Sequence, residues 1–113
     1  MVEIDAAVDE AGLLVSCSVN GHAGAGPRGG DVVCAAVSVL LRTAFRVLSD
    51  RQGIRLRGGA EERGSFTMET GCEAEGRAFL EAAGAFLLDG LESVAGLYPE
   101  YCNMTIRRLN RRN

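Results

Sequence analysis

Asp31-Val32-Val33-Cys34-Ala35-Ala36-Val37-Ser38-Val39-Leu40-Leu41-Arg42-Thr43-Ala44-Phe45-Arg46-Val47-Leu48 decides the fold. Val33, Val37, Leu40, Ala44 and Leu48 recur at helical spacing, with Ser38, Arg42, Arg46 and Ser49 on the other side. That is the pattern of an amphipathic helix with one apolar stripe. Asp31 is a good N-cap residue, so the spacing predicts a helix from about Val32 to about Ser49. Upstream lies Gly21-His22-Ala23-Gly24-Ala25-Gly26-Pro27-Arg28-Gly29-Gly30, whose glycines and proline argue against regular structure.

On either side of this helix the pattern changes period. Val2 to Val8 alternates apolar and charged residues, Asp9 to Gly12 reads as a turn, and Leu13, Val15, Cys17 and Val19 alternate again. This predicts an antiparallel hairpin. Beyond the helix, Ile54–Arg57 reads as a strand, Gly58–Gly64 as a loop and Ser65–Thr70 as a strand with Phe66 and Met68 inward. A second helix is predicted from about Glu75 to Leu97, with Phe79, Ala83, Phe86, Leu87, Val94 and Leu97 as its apolar set. Gly76, Gly84 and Gly90 weaken it, which implies close approach of another backbone at some of them. Pro99 ends it, and Tyr101–Leu109 reads as a last strand with Cys102, Met104 and Ile106 inward. The order ββαββαβ predicts an α+β domain: a two-layer sandwich, with two helices on one face of a mixed sheet.

Composition narrows the function. With 113 residues, 47% of them hydrophobic and 24% charged, the chain fits a single globular domain spanning 1–113. Apolar runs are interrupted by charged or polar residues before the ~20 residues of a membrane span, so no membrane association is expected. The N-terminus lacks the basic and apolar regions of a signal peptide. A net charge of −3 argues against direct nucleic-acid binding. Every cation among the side chains is Arg, so lysine-based chemistry is excluded. Four scattered cysteines and one histidine lack zinc-site spacing, so neither a metal nor any other cofactor is expected. The thiols read as reduced and the chain as cytoplasmic. Arg107, Arg108, Arg111 and Arg112 form a basic C-terminus, read as a solvated tail or as a guide to an acidic or RNA-bound partner.

The residues that point to chemistry are His22 and Cys34. With Asp31 as cap, Cys34 falls at the third helical position. There the helix's partial positive charge favours a thiolate and the open amides suit an oxyanion. A thiol nucleophile needs a base, and His22 is the only imidazole in the chain. Cys34 shares an i, i+4 row with Ser38 and Arg42 at the edge of the core, Arg42 reading as a solvated side chain. From the residues alone the bland readings stay open: Cys34 as a packing residue, His22 as a surface group, Asp31 as a cap only and Ser38 bonded back to its own helix. Cys17 and Cys102 read as buried and Cys72 as a loop residue, and no resolving cysteine lies close to Cys34 in sequence, which argues against a redox thiol protein.

Gly21-His22-Ala23-Gly24 followed by Asp31-Val32-Val33-Cys34-Ala35-Ala36-Val37-Ser38 resembles the ribosomal-processing cysteine protease (Prp) family, which carries GHAG, a short loop and D-[IV]-[VI]-C-A-A-[VI]-S. The chain departs from many relatives in the small residues Ala25–Gly30, where they carry bulkier aromatic and charged ones. The resemblance implies His22 as general base and Cys34 as nucleophile, with Gly21, Gly24, Asp31 and Ser38 as substrate-binding or site-supporting positions. It also implies a homodimer. The implied activity is removal of a short N-terminal extension from a bacterial large-subunit ribosomal protein, whose precursor is the peptide substrate, by cleavage after two phenylalanines. The alternatives are a non-catalytic ribosome-associated binding module and a small thioesterase.

Overall fold

The computed structural model describes residues 1–21, 28–62 and 64–110, apart from the side chains of 28–31, 61 and 62. The chain runs β1 (Val2–Val8), β2 (Leu14–Asn20), α1 (Arg28–Ser49), β3 (Ile54–Glu62), β4 (Ser65–Cys72), a short 3-10 turn (Ala74–Gly76), α2 (Arg77–Leu97) and β5 (Cys102–Arg108). Five strands form one sheet in the order β3-β4-β2-β1-β5. The β1–β5 pair is parallel and the β1–β2, β2–β4 and β3–β4 pairs are antiparallel, so the sheet is mixed.

The expected hairpin forms between β1 and β2. Asp9 tightens its turn by accepting hydrogen bonds at Oδ1 from the N–H groups of Ala11 and Leu13, both at 2.9 Å. A bulge between Ala7 and Val8 shifts the register so that Val8 pairs with Leu14. Pairing then sorts the two faces. Val2, Ile4, Cys17, Val19, Met68 and Cys102 are buried on the side that the helices cover. Glu3, Asp5, Ser18, Thr67 and Thr105 share the opposite, polar side. This is the two-layer α+β arrangement that the order of elements predicts.

α1 buries Val33, Val37, Leu41, Ala44 and Leu48. Leu41 takes the central place expected of Leu40, which is only half-buried and packs toward α2, two of its carbons lying 3.0 and 3.2 Å from where a Cβ on Gly90 would stand. From Val32 to Ser49 this helix is apolar enough in length and composition to cross a membrane, contrary to the expectation from its interruptions. Its inner stripe nevertheless forms the core against the sheet.

Four boundaries and one helix phase differ from expectation. α1 begins at Arg28, so Arg28, Gly29 and Gly30 are helical and Asp31 is the fourth residue of the helix, not its cap. β3 continues through Gly58–Glu62, because Gly58 and Gly59 adopt φ of +116° and +136° and the ladder bulges there instead of ending. A Cβ on Gly58 would lie 2.2 Å from the Thr67 carbonyl oxygen, so the pairing needs glycine. β4 runs two residues further than expected and takes in Cys72. The second helix splits into the 3-10 turn and α2, with Gly76 set against the Gly53 carbonyl oxygen, 2.4 Å from where a Cβ would stand. That is the close backbone approach expected of one of its glycines; Gly84 and Gly90 instead meet the side chains of Leu14 and Leu40. α2 buries Leu80, Gly84, Leu87, Leu91 and Val94, whereas Phe86 and Leu97 are largely exposed. On β5, Cys102 is buried, Met104 half-buried and Ile106 exposed, as befits a strand at the sheet edge.

Candidate active site

α1 packs beside α2 and against β3, and between it and the sheet opens a cavity of about 610 Å³. Its helix wall carries Cys34, Val37, Ser38, Leu41 and Arg42; its sheet wall carries Val2, Val19 and Phe66; Gly21, Ala60, Gly64 and Ser65 complete the rim. The volume is that of a small-ligand or peptide side-chain site, and the lining is mainly apolar with a few polar groups, as such sites require. Phe66 is held edge-on against Phe45 of α1, with ring centres 5.8 Å apart.

Cys34 is half-buried, packed against the core on one side and open to the cavity on the other. It is the seventh residue of α1, one turn deeper than the sequence suggests. The amides of a helix that lack partners inside it belong to its first four residues, here 28–31. Any oxyanion donors that α1 offers therefore come from the turn before Cys34.

Of the other expected site residues, Ser38 lies one turn beyond Cys34 on the same wall, and its Oγ accepts a hydrogen bond from Arg42 Nε at 3.4 Å. Gly21 lies on the cavity rim with φ +95°, and its N–H donates to the Gly64 carbonyl at 2.9 Å. A Cβ there would stand 2.5 Å from the Met1 carbonyl oxygen, so the end of β2 needs glycine to turn out of the sheet beside β1. Asp31 is in α1, and its side chain lies outside the described residues, as do His22 and Gly24. The structure thus brings together Cys34, Ser38 and Gly21 around one cavity.

Two features of this site carry little signal in the sequence. Val2, Val19, Leu41, Phe66 and Arg42 line the cavity, and only the helical row from Cys34 through Ser38 to Arg42 offered a signal for any of them. The second is Cys102. Although it lies far from Cys34 in sequence, it pairs with Val2, which lines the same cavity as Cys34. Burial pushes the Cys102 thiol up, and the nearby Glu3 and Cys34 add to the effect. Cys17, beneath the sheet-facing side of the helices, is pushed up to about 12, by burial first and by Asp5 second. All four cysteines are thiols. Among the described residues no group of His, Cys, Asp and Glu side chains could hold a metal ion.

A half-buried thiol on the wall of an apolar cleft, carried near the start of a helix in an α+β sandwich, is a placement that suits the nucleophile of a thiol hydrolase. The chain belongs to the cysteine protease Prp family, whose model matches residues 1–103. Its fold matches that of a ribosomal processing protease Prp from S. aureus in complex with a substrate peptide, with a TM-score of 0.79 at 19% identity over 95% of this chain and 100% of that one. The same S. aureus protease with a covalently linked product peptide matches with a TM-score of 0.78 at 21% identity over 95% and 100% of the two chains. SMU.848 from Streptococcus mutans matches with a TM-score of 0.74 at 26% identity over 96% of each chain. No curated protein matches this chain. The protein is a cysteine protease of this family.

Proposed function

We propose that the chain is a cysteine endopeptidase that removes a short N-terminal extension from a bacterial large-subunit ribosomal protein, with Cys34 as nucleophile and His22 as general base. The observation that carries this reading is the position of Cys34, on the wall of an apolar cavity large enough for aromatic side chains. A solved relative from S. aureus, a ribosomal processing protease, holds a substrate peptide, which supports a peptide as the substrate here.

In this reading His22 takes the proton from the Cys34 thiol, and the thiolate adds to the carbonyl carbon of the scissile bond. Open amides of α1's first turn face the developing oxyanion. The C–N bond then breaks, and the imidazolium returns its proton to the leaving amine. Water hydrolyses the thioester and frees the thiol. The four thiols accord with a cytoplasmic location, where such a nucleophile stays reduced.

The reading includes a homodimer built on the outer face of the helix pair. An apolar groove of about 520 Å³ runs there between Val39, Leu40 and Val47 of α1 and Phe79, Ala83 and Phe86 of α2. Phe86 is 76% and Val39 64% exposed, a concentration of apolar surface that a monomer rarely leaves open. Charge makes a second copy the fitting occupant. Arg46 shares a helical row with Val39 and Thr43 of the groove, and Asp89 one with Ala82 and Phe86, so the two helices edge the groove with opposite signs. A two-fold axis that sets α1 of one copy on α2 of the other pairs opposite signs twice.

The test of the activity is incubation of the purified protein with the extended ribosomal protein, followed by intact mass. Wild type is expected to release the extension and Cys34→Ala to leave the precursor whole. Equal processing by both proteins overturns the assignment of the nucleophile. Thioester hydrolysis without peptide cleavage would favour a thioesterase, and retention of the precursor without turnover a binding module.

A further inference from the structure

Arg42 is the one charged side chain lining the cavity among the described residues. It stands two turns along α1 from Cys34, on the same wall, with Ser38 between them. Its Nε is hydrogen-bonded to Ser38 Oγ, and no carboxylate among the described residues pairs with it. Arg42 is exposed, so its remaining guanidinium donors are open to solvent beside the cavity. A planar guanidinium suits a carboxylate more than a neutral group.

We propose that Arg42 is a specificity-determining residue that favours peptide substrates carrying Asp or Glu three or four residues from the scissile bond. The spacing follows from geometry. Eight residues of α-helix span about 12 Å, and an extended peptide advances about 3.3 Å per residue. A substrate lying along α1 with its scissile carbonyl at Cys34 therefore presents its third or fourth residue to Arg42. The inference rests on Cys34 as the nucleophile. It goes beyond that assignment in giving the cavity a second, charged selectivity beside its apolar one.

The experiment scans one cleavable peptide with Glu and with Gln at each position up to five residues on either side of the scissile bond, measuring kcat/KM. Wild type is expected to prefer Glu over Gln about three- to tenfold at a position three or four residues out, on one side, as a charge-assisted contact at a partly open site would give. The preference is expected to appear in KM and to shrink at 0.5 M salt. It should vanish in Arg42→Gln, reverse toward the Gln peptide in Arg42→Glu and partly survive in Arg42→Lys. Each enzyme serves as its own reference, because the ratio is taken between two peptides, and thermal melts show whether each variant is folded. A flat profile in wild type, an unchanged profile in Arg42→Gln, or a preference only at other positions overturns the inference while the peptidase assignment stands on cleavage of the Gln peptides. Failure of wild type to cleave any peptide would instead overturn both.

Discussion

Alkylation of the folded protein at pH 8 tests the thiol environments that single out Cys34. The Cys17 thiol is pushed from 9.0 up to about 12 by burial and by Asp5. At pH 8 an ordinary thiol with the former value is about one-tenth thiolate, whereas one with the latter is about one part in ten thousand. Since the thiolate is the reacting species, Cys17 should be slowed about a thousandfold by ionisation alone, before its lack of contact with solvent is counted. Cys102 is shifted in the same direction and is also buried. Cys34 opens onto the cavity and is expected to react ahead of both. Arginine-specific digestion after Arg28, Arg42, Arg63, Arg77 and Arg107 places each cysteine on a different peptide, so rates are read site by site with iodoacetamide and mass spectrometry. In urea all four should react at similar rates. Alkylation of Cys17 in the folded protein at a rate within tenfold of Cys34 would refute the reasoning.

The same shift makes Cys17 one contributor to the loss of stability in alkali. Above pH 9 the unfolded chain gives up the Cys17 proton while the folded chain keeps it until about 12, so stability present below pH 9 falls as pH rises through this window. The loss attributable to Cys17 is about 1.4 kcal/mol at pH 10, and urea melts of Cys17→Ala should show a pH 7 to pH 10 difference smaller by that amount; an equal difference in both proteins would count against it. Phe86→Arg places a charge in the helix-pair groove and should convert a dimer to a monomer that still folds, because Phe86 is 76% exposed in the single chain, with Tm lowered by the lost association. Sedimentation equilibrium reads the outcome, and an unchanged mass would remove this face as the interface.

The strands and their faces were legible because period-2 alternation in β1 and β4 leaves no choice of inward residue, as at Ile4 and Met68. α1 was legible in phase but not at its start. Asp31 is a strong capping residue, and the glycines and proline before it read as irregular chain. α2 was misphased because it is apolar on two stripes. Its small residues, Gly84 against Leu14 above all, rotate Leu80, Leu87 and Leu91 inward and leave Phe86 outside. Gly58 and Gly59 read as a loop because positive φ inside a ladder needs a partner strand that one sequence segment does not reveal. At the site, the Cys34–Ser38–Arg42 row follows from helix geometry alone. The sheet wall of Val2, Val19 and Phe66, and the neighbourhood of Cys102, depend on pairings between residues far apart in the chain.

The most direct measurement is a crystal structure of the protein after reaction with a peptide chloromethyl ketone. The account predicts a thioether at Cys34 Sγ, an apolar peptide side chain in the cavity beside Phe66, and a ring nitrogen of His22 within about 3–4 Å of the sulfur. An adduct on another residue, or His22 on the far side of the molecule from Cys34 with the peptide bound, would contradict it.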